Sequence, residues 1–312
     1  MDAASAAGAS APSEPPLTGF IGIGNMGLAM ALRLRELGWP VRVRDLDAAR
    51  EAAAARAGAV VCATPAELAA GCRRVVIAVV DAAQSDAVLF GENGAAAALT
   101  SGAAVLLCPT IAPQSTEAIA ARLGRAGVDC LDAPMSGGPA RARDGSMSLL
   151  VACSDAVYAR HRELVEALSS RVFRVGERAG DGARTKLVNN LLAAINLAGA
   201  AEALALAEHV GLDPARTLAV IEQSSGQSWI GSDRLHRALA GDLAPRAHTT
   251  LLAKDSALAL SMASAAGFET PLGARAAALF ANACQAGWGG FDDAALLDFL
   301  RGAEPPDPSR PA

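Results

Sequence analysis

The first 180 residues alternate between short apolar runs and longer stretches in which apolar residues recur at helical spacing. The clearest runs are residues 18–22 (TGFIG), 74–80 (RVVIAVV) and 103–108 (AAVLLC), and unbroken runs of this length are typical of buried parallel strands. Further strands are predicted at residues 41–45, 128–131, 146–152 and 171–175. Helices are predicted at residues 28–38, 65–71 and 115–124. This alternation predicts an α/β protein with a doubly wound, Rossmann-type sheet.

From about Thr185 onward the pattern is helical only. Residues 181–208 are rich in Ala and Leu, contain no proline and would form a helix about 42 Å long. Because apolar residues lie nearly all round this helix, we expect it to be buried between other elements. We predict a dinucleotide-binding Rossmann domain at 18–180 and an all-helical substrate and oligomerisation domain at 181–302. The polar, proline-containing ends, residues 1–17 and 303–312, are predicted to be disordered tails.

A glycine-rich turn joins the first predicted strand to the first predicted helix. Gly22, Gly24 and Gly27 have the spacing of a dinucleotide-binding loop, in which glycine lets a pyrophosphate approach the helix N-terminus. Asp45 ends the second strand, where a carboxylate can bind the ribose hydroxyls of NAD and repel the 2'-phosphate of NADP. The motif therefore predicts NAD as cofactor over NADP, although Arg42 and Arg44, which lie beside Asp45, are residues that could favour NADP. The alternative is a glycine turn that only packs a helix on a strand.

Lysine is rare in this chain. Lysine and arginine together number 27, and only Lys186 and Lys254 are lysines. A lysine kept among so many arginines suggests chemistry that a guanidinium cannot perform, since only an ammonium gives up its proton near neutral pH when burial lowers its pKa. Asn189 and Asn190 share the helix face of Lys186, which makes this face a candidate catalytic surface. The alternative is a lysine that extends to solvent at a helix start.

Composition and charge exclude several other classes of protein. The net charge of -5 and the pI near 5.5 provide no basic field for nucleic acid. Six scattered cysteines without a CxxC pair predict reduced thiols in a cytoplasmic protein, and neither they nor the four histidines have metal-ligand spacing. Polar residues in the long helix, such as Asn196 and Glu202, argue against a membrane span. We predict no nucleic-acid, membrane or metal partner.

Four motifs follow one another along the chain: residues 19–27 (GFIGIGNMG), 132–138 (DAPMSGG), 182–190 (GARTKLVNN) and the pair Lys254-Asp255. Together they resemble the β-hydroxyacid dehydrogenase family, which includes 3-hydroxyisobutyrate and tartronate semialdehyde dehydrogenases. Three further segments are most similar to the L-threonate dehydrogenase branch of that family: VVDAAQ at 79–84, LFGENG at 89–94 and SSGQSW at 224–229. The resemblance covers about residues 18–300 and implies NAD-dependent oxidation of a small hydroxy acid.

The resemblance also implies roles for individual residues. It makes Lys186 the general acid/base and Asn190, with Asn189 beside it, the residue that orients the substrate. It places the substrate carboxylate on Ser136, Gly137 and Gly138, whose hydroxyl and exposed N–H groups suit an anion, although an ordinary turn is the alternative. The residues that it implies for the cofactor are Gly22, Gly24, Asn25, Met26, Gly27, Asp45, Val80, Thr110 and Lys254.

Some positions depart from the family pattern. Val80 and Asp81 stand where many members have Leu-Pro, and Pro109 replaces a polar residue before Thr110. Both changes lie near the expected nicotinamide. Trp229 has two interpretations, a wall of the substrate pocket or a residue of the core.

The substrate remains open between L-threonate, oxidised at its 2-hydroxyl, and 3-hydroxyisobutyrate or tartronate semialdehyde. A rival of another class is a non-catalytic NAD-binding interaction module. Such a protein would be expected to lose Lys186, as the related imine reductases generally have. The apolar helical domain further predicts a homo-oligomer, a dimer or a tetramer.

Overall fold

Residues 15–306 are described by the computed structural model, so most of both predicted tails, residues 1–14 and 307–312, lies outside the described residues. Within this range one sheet contains nine strands: β1 Thr18–Ile21, β2 Val41–Arg44, β3 Val60–Val61, β4 Arg74–Ile77, β5 Ala104–Leu107, β6 Asp129–Asp132, β7 Met135–Ser136, β8 Ser148–Ala152 and β9 Arg171–Gly176. Six parallel strands run in the order β3-β2-β1-β4-β5-β6. Strand β8 is antiparallel to β6 and β7 and parallel to β9.

The same range contains thirteen α-helices: α1 Asn25–Glu36, α2 Ala48–Arg56, α3 Pro65–Ala69, α4 Ala82–Phe90, α5 Pro113–Arg125, α6 Gly138–Asp144, α7 Asp155–Leu168, α8 Asp181–His209, α9 Pro214–Glu222, α10 Trp229–Leu239, α11 Thr249–Ala265, α12 Pro271–Gln285 and α13 Leu296–Leu300. Helices α1–α7 belong to the sheet region, and α8–α13 follow it. The predicted α/β class and the helical C-terminal region are confirmed.

The apolar runs correctly located the central strands. Every residue of β1, β4 and β5 is buried, because helices cover both faces of the sheet at its centre. Two strands of two residues each, β3 and β7, were missed because so short a segment has no measurable periodicity. The first helix was placed too late, since α1 begins at Asn25 and contains Gly27, a residue that the pattern assigned to the turn.

The long helix α8 spans 29 residues and packs against helices α9–α13. The prediction that it would be buried all round is wrong for this chain alone. Its side chains Val188, Leu192 and Leu206 are between 57% and 61% exposed, because no other element of residues 15–306 covers that face. Its length and hydropathy alone would also allow it to cross a membrane, a property that core helices of soluble proteins share.

Asp132 at the end of β6 fixes the start of α8. This carboxylate is 2% exposed and accepts hydrogen bonds from the backbone N–H groups of Gly180 (2.8 Å) and Ala183 (3.1 Å). A Cβ at Gly182 would lie 2.8 Å from the same carboxyl group, so only glycine permits this approach. Burial raises the pKa of Asp132 to about 6, although the backbone N–H groups oppose the shift. The start of α8 is thereby held against the sheet.

Candidate active site

A cavity of about 590 Å³ lies at the carboxyl ends of the central parallel strands. One side is formed by residues that follow β1, β4 and β5, namely 24–26, 78–80 and 108–110. The strand order reverses between β1 and β4, and such a reversal opens a crevice where ligands bind in doubly wound sheets. The other side is formed by α8, α10 and α11. The cavity is therefore enclosed between the sheet and the helical region.

The glycine turn fits a dinucleotide. Gly22 has a φ of +83°, and a Cβ at Gly27 would collide with the Gly22 carbonyl oxygen, so both positions require glycine. Gly24, Asn25 and Met26 line the cavity at the start of the 12-residue helix α1. The N–H groups of a helix start attract anions such as a pyrophosphate. The pyrophosphate of a nicotinamide dinucleotide is such an anion.

Asp45 lies behind the turn and does not line the cavity. Its Oδ2 accepts a hydrogen bond from the backbone N–H of Ile23 at 2.6 Å, and its Oδ1 accepts one from Asp47 at 2.9 Å. The carboxylate therefore braces the glycine turn. Its contact with a ribose stays a prediction.

Both arginines of β2 are engaged with protein groups. Arg42 donates to the Ala70 carbonyl oxygen at 2.6 Å, and Arg44 forms an ion pair with Glu51 at 2.8 Å. By contrast, Arg50 lines the cavity with its guanidinium close to Gly24. Sequence reasoning missed Arg50, since its position in α2 gave no signal apart from a short distance from Asp45.

Lys186 is the most deeply buried cation of the cavity, with 8% of its surface exposed. Burial lowers the pKa of Lys186 from 10.5 to about 8; Asp255 opposes this shift and Lys254 adds to it. Such an ammonium can release and recover a proton near neutral pH. Asn189 and Asn190 on the next turn of α8 also line the cavity, as the sequence predicted from their spacing.

Asp255 connects the polar groups around Lys186. Its Oδ2 accepts a hydrogen bond from Asn190 Nδ2 at 2.6 Å, and its Oδ1 accepts one from Lys254 Nζ at 2.7 Å. Asn189 Nδ2 donates in turn to Asn190 Oδ1 at 3.0 Å, which fixes the asparagine pair. Asp255 is only 6% exposed, so these charge-assisted bonds replace its water contacts. The sequence named Asp255 within a motif but gave it no role.

Lys254 connects helix α11 to the sheet. Its Nζ donates to the Thr110 carbonyl oxygen at 2.6 Å, so α11 and the segment after β5 are in direct contact. Val80, on the neighbouring segment, is 48% exposed and lines the cavity, with its backbone N–H bound to Gln84 Oε1 at 3.0 Å. Val80 and Thr110 therefore border the same cavity as Lys186.

Ser136, Gly137 and Gly138 line the cavity between β7 and α6. Gly137 has a φ of +125° and Gly138 a φ of +77°, and both values strain any residue with a Cβ. Trp229 also lines the cavity, half exposed, with the Arg141 guanidinium 4.9 Å from its ring centroid. Trp229 is thus a wall of the cavity and not a core residue.

Of the site residues predicted from sequence, Gly22, Gly27 and Asp45 support the cavity from behind, and all the others line it. Residues that the sequence did not single out also line it: Arg50, Asn196, Arg234, His248 and Asp293. Asn196 could have been found, because it continues the polar face of α8 begun by Lys186. The others come from separate elements whose packing no local pattern reveals.

Comparisons with known proteins agree with this arrangement. A protein-family model described as the NAD binding domain of 6-phosphogluconate dehydrogenase matches residues 18–176. The model described as NAD-binding of NADP-dependent 3-hydroxyisobutyrate dehydrogenase matches residues 180–300. The L-threonate dehydrogenase of Cupriavidus necator is 40% identical over 288 residues, which cover 92% of this chain and 97% of that protein.

The chain belongs to the 3-hydroxyisobutyrate dehydrogenase family. A crystal structure of 3-hydroxyisobutyrate dehydrogenase from Salmonella typhimurium aligns with a TM-score of 0.85 and 33% identity, covering 91% of this chain and 99% of that one. Psf3 in complex with NADP⁺ and 2-OPP aligns with a TM-score of 0.84 and 28% identity, covering 91% and 99%. Membership makes this protein an NAD(P)-dependent hydroxyacid dehydrogenase. The resemblance inferred from four motifs is thereby confirmed.

Proposed function

We propose that this member of the family oxidises L-threonate, or a closely related sugar acid, at its 2-hydroxyl with NAD. The observation that carries the proposal is a buried lysine of lowered pKa in the same cavity as the glycine turn and Ser136–Gly138. The 40% identity to an L-threonate dehydrogenase supports this substrate over 3-hydroxyisobutyrate or tartronate semialdehyde. The identity to dehydrogenases also argues against a non-catalytic NAD-binding module.

In this proposal the substrate carboxylate binds at Ser136, Gly137 and Gly138, and Asn190 orients the hydroxyl toward Lys186. The neutral amine of Lys186 takes the hydroxyl proton, and in the reverse direction its ammonium protonates the carbonyl oxygen. NAD, when bound, supplies the hydride acceptor. A positioned acid/base contributes about 10²–10⁴-fold to such a reaction.

The cofactor would be held by the glycine turn (Gly22–Gly27), Asp45, Val80, Thr110 and Lys254, with Arg50 beside Gly24 as an additional contact. We propose a preference for NAD because the carboxylate of Asp45 stands at the end of β2. The two arginines that could have favoured NADP, Arg42 and Arg44, support this choice because both are bound to protein groups.

The pH dependence follows from Lys186. Its lowered pKa means that the neutral base forms as the pH rises through about 8, and the ammonium prevails below it. Oxidation should therefore accelerate as the pH rises through this range, whereas reduction should be favoured at lower pH.

We also propose that the Rossmann region at 18–180 binds the cofactor and that the helical region at 181–302 completes the substrate site and forms a homo-oligomer. The exposed apolar side chains Val188 and Leu206 of α8, neither of which lines the cavity, support self-association. Six free cysteines, none paired, are consistent with a cytoplasmic location.

The test is a substrate panel with purified protein, followed by NADH or NADPH absorbance. The panel contains L-threonate, D-threonate, 3-hydroxyisobutyrate, D-glycerate and L-serine, each with NAD and with NADP. We expect turnover of L-threonate with NAD. Turnover of another acid alone would refute the substrate assignment while keeping the mechanism, and equal rates with NADP would refute the role of Asp45.

A further inference from the structure

One part of the cavity wall is unused by the mechanism above. It is formed by Arg234 of α10 and by Asp293, which begins a short 3₁₀ helix at Asp293–Ala295. Both side chains are largely buried, with 14% of Arg234 and 4% of Asp293 exposed. Buried charged side chains are costly unless they are paired, and these two side chains pair with each other at the edge of the cavity.

Arg234 is paired, but not on all sides. Its Nε donates to Asp293 Oδ1 at 2.5 Å, and its Nη1 donates to the Asp233 carboxylate. Across residues 15–306, no protein atom accepts a hydrogen bond from Nη2, and this nitrogen is not buried from solvent. One guanidinium N–H group is therefore available where Arg234 borders the cavity.

The positive charge of Arg234 is compensated by acidic neighbours. Burial opposes the charge of Arg234, but the carboxylates of Asp293 and Asp233 outweigh burial and raise the pKa of Arg234. The guanidinium stays charged and binds the carboxyl groups of Asp233 and Asp293. Burial raises the pKa of Asp293 to about 7, so Asp293 is mainly ionised at the pH of about 8 at which Lys186 becomes neutral. A second carboxylate on a ligand would be attracted by Arg234 but repelled by Asp233 and Asp293. A hydroxyl could instead accept a hydrogen bond from Arg234 and donate one to Asp293.

The neighbouring lining is also polar and neutral. Asn196 lies on α8 ten residues after Lys186, on the face that carries Asn189 and Ala193 into the cavity. It makes no side-chain hydrogen bond within residues 15–306, so its amide is available to a ligand. An apolar group placed here would remove water from Arg234 Nη2 and from the Asn196 amide without giving either a hydrogen-bond partner, which binding sites disfavour.

We propose that Arg234 and Asp293 form a charge-compensated subsite for the hydroxylated tail of the substrate. The pair selects a polyhydroxylated 2-hydroxy acid over one with an apolar tail and over a dicarboxylic acid. This inference rests on the proposed function, since it assumes that Lys186 receives the 2-hydroxyl of the same molecule.

Three four-carbon acids of the same configuration at C2 provide the test: L-threonate, (R)-2-hydroxybutanoate and D-malate. They carry a hydroxylated, an apolar and an anionic tail. For the wild-type enzyme with NAD, we expect kcat/KM for L-threonate to exceed that for (R)-2-hydroxybutanoate by on the order of 100-fold, because two tail hydroxyls lose their partners. D-malate should be disfavoured by a similar factor.

Two variants separate the subsite from a structural role. The double variant Arg234→Met/Asp293→Leu removes both charges together, which avoids leaving one of them buried and unpaired. We expect its preference for L-threonate over (R)-2-hydroxybutanoate to fall to about 10-fold or less. Asp293→Asn removes compensation from Arg234, and its turnover of D-malate relative to L-threonate should rise by about 10-fold.

The matched control is Arg237→Met. Arg237 lies one turn further along α10 and pairs with Asp292, but it does not line the cavity. This variant should lose stability in thermal unfolding while keeping the wild-type ratios between the three acids. Ratios that stay unchanged in the double variant would refute the subsite and leave the proposed function standing. If the wild-type enzyme turns over none of the three acids, the proposed function fails and the subsite fails with it.

Discussion

Asp255 offers the sharpest test of how the site controls its lysine. Asp255→Asn keeps the shape of the side chain but removes the negative charge near Lys186. Burial and the charge of Lys254 both lower the pKa of Lys186, and Asp255 is the group that opposes them. Without this carboxylate, only the lowering influences remain. The pKa of Lys186 in the variant must therefore fall below about 8.

The size of the effect follows from the protonation equilibrium. With a pKa of about 8, about one Lys186 side chain in ten is neutral at pH 7, against about three in ten thousand at the usual value of 10.5. A neighbouring charge typically moves a pKa by about one to three pH units. We expect the ascending limb of the oxidation profile, in which the rate rises with pH, to move at least about one pH unit toward acid.

A second effect accompanies the shift. Asn190 and Lys254 both donate to the Asp255 carboxylate, and an amide is a weaker acceptor for them. A hydrogen bond to a charged group contributes about 1.5–3 kcal/mol, which corresponds to roughly 10–150-fold. We therefore expect kcat/KM at the new optimum to be about 10-fold to 100-fold lower, because Asn190, the proposed substrate-orienting residue, loses its charged hydrogen-bond partner.

The assay is kcat/KM for L-threonate oxidation between pH 6 and pH 10, as an approximate range around the expected pKa. Asp298→Asn serves as control, because this carboxylate binds Arg301 and does not line the cavity. NADH binding and thermal unfolding establish that each variant is folded. A limb that stays in place, or that moves toward higher pH, would refute the assignment of this limb to Lys186 and the electrostatic role of Asp255.

Three further outcomes are expected. Lys186→Ala should lose about 10²–10⁴-fold in kcat while NADH still binds, and Lys186→Arg should be equally inactive because a guanidinium does not deprotonate; steady-state kinetics and NADH titration check both. Asp45→Ser should weaken NAD binding about 10-fold or more, since it removes both the carboxylate and its hydrogen bond to the Ile23 N–H. It should also reduce the preference for NAD over NADP, measured as the ratio of the KM values for the two cofactors. An unchanged ratio would show that Asp45 does not set this preference. Val188→Glu should dissociate the proposed homo-oligomer in light scattering, whereas Leu37→Glu, at an exposed position outside α8, should not. An oligomer that survives the first change does not use this face.

The strands and the cofactor turn could be predicted because their signals are local. Burial on both faces makes β4 and β5 unbroken apolar runs, and the strand–glycine–helix order identifies the turn around Gly24. Helix boundaries are harder to predict, because α1 begins at Asn25, before apolar residues recur at helical spacing in the sequence. The exposed face of α8 could not be foreseen either. An apolar residue gives the same sequence pattern whether it packs against its own chain or against a second chain.

The polar network of the site could be predicted only in part. Lys186 was found because lysine is rare here, and Asn190 because it shares a helix face. The bond between Asn190 and Asp255 joins residues 65 positions apart, and the pair Arg234–Asp293 joins residues 59 positions apart. Such contacts depend on how helices pack, and no periodicity along the chain encodes them. A family motif can name these residues without revealing which partner each one binds.

Lys254 connects the two halves of the chemistry. In the proposed mechanism, hydride transfer requires the substrate carbon beside the nicotinamide and proton transfer requires its hydroxyl beside Lys186. These sites belong to different parts of the fold. Lys254 bonds at once to the Thr110 carbonyl oxygen and to Asp255, which in turn holds Asn190. One ammonium thus sets the spacing between the segment after β5 and the lysine face of α8. The compact ammonium makes both contacts from one nitrogen, so lysine at this position has a geometric role that is separate from any direct contact with the cofactor.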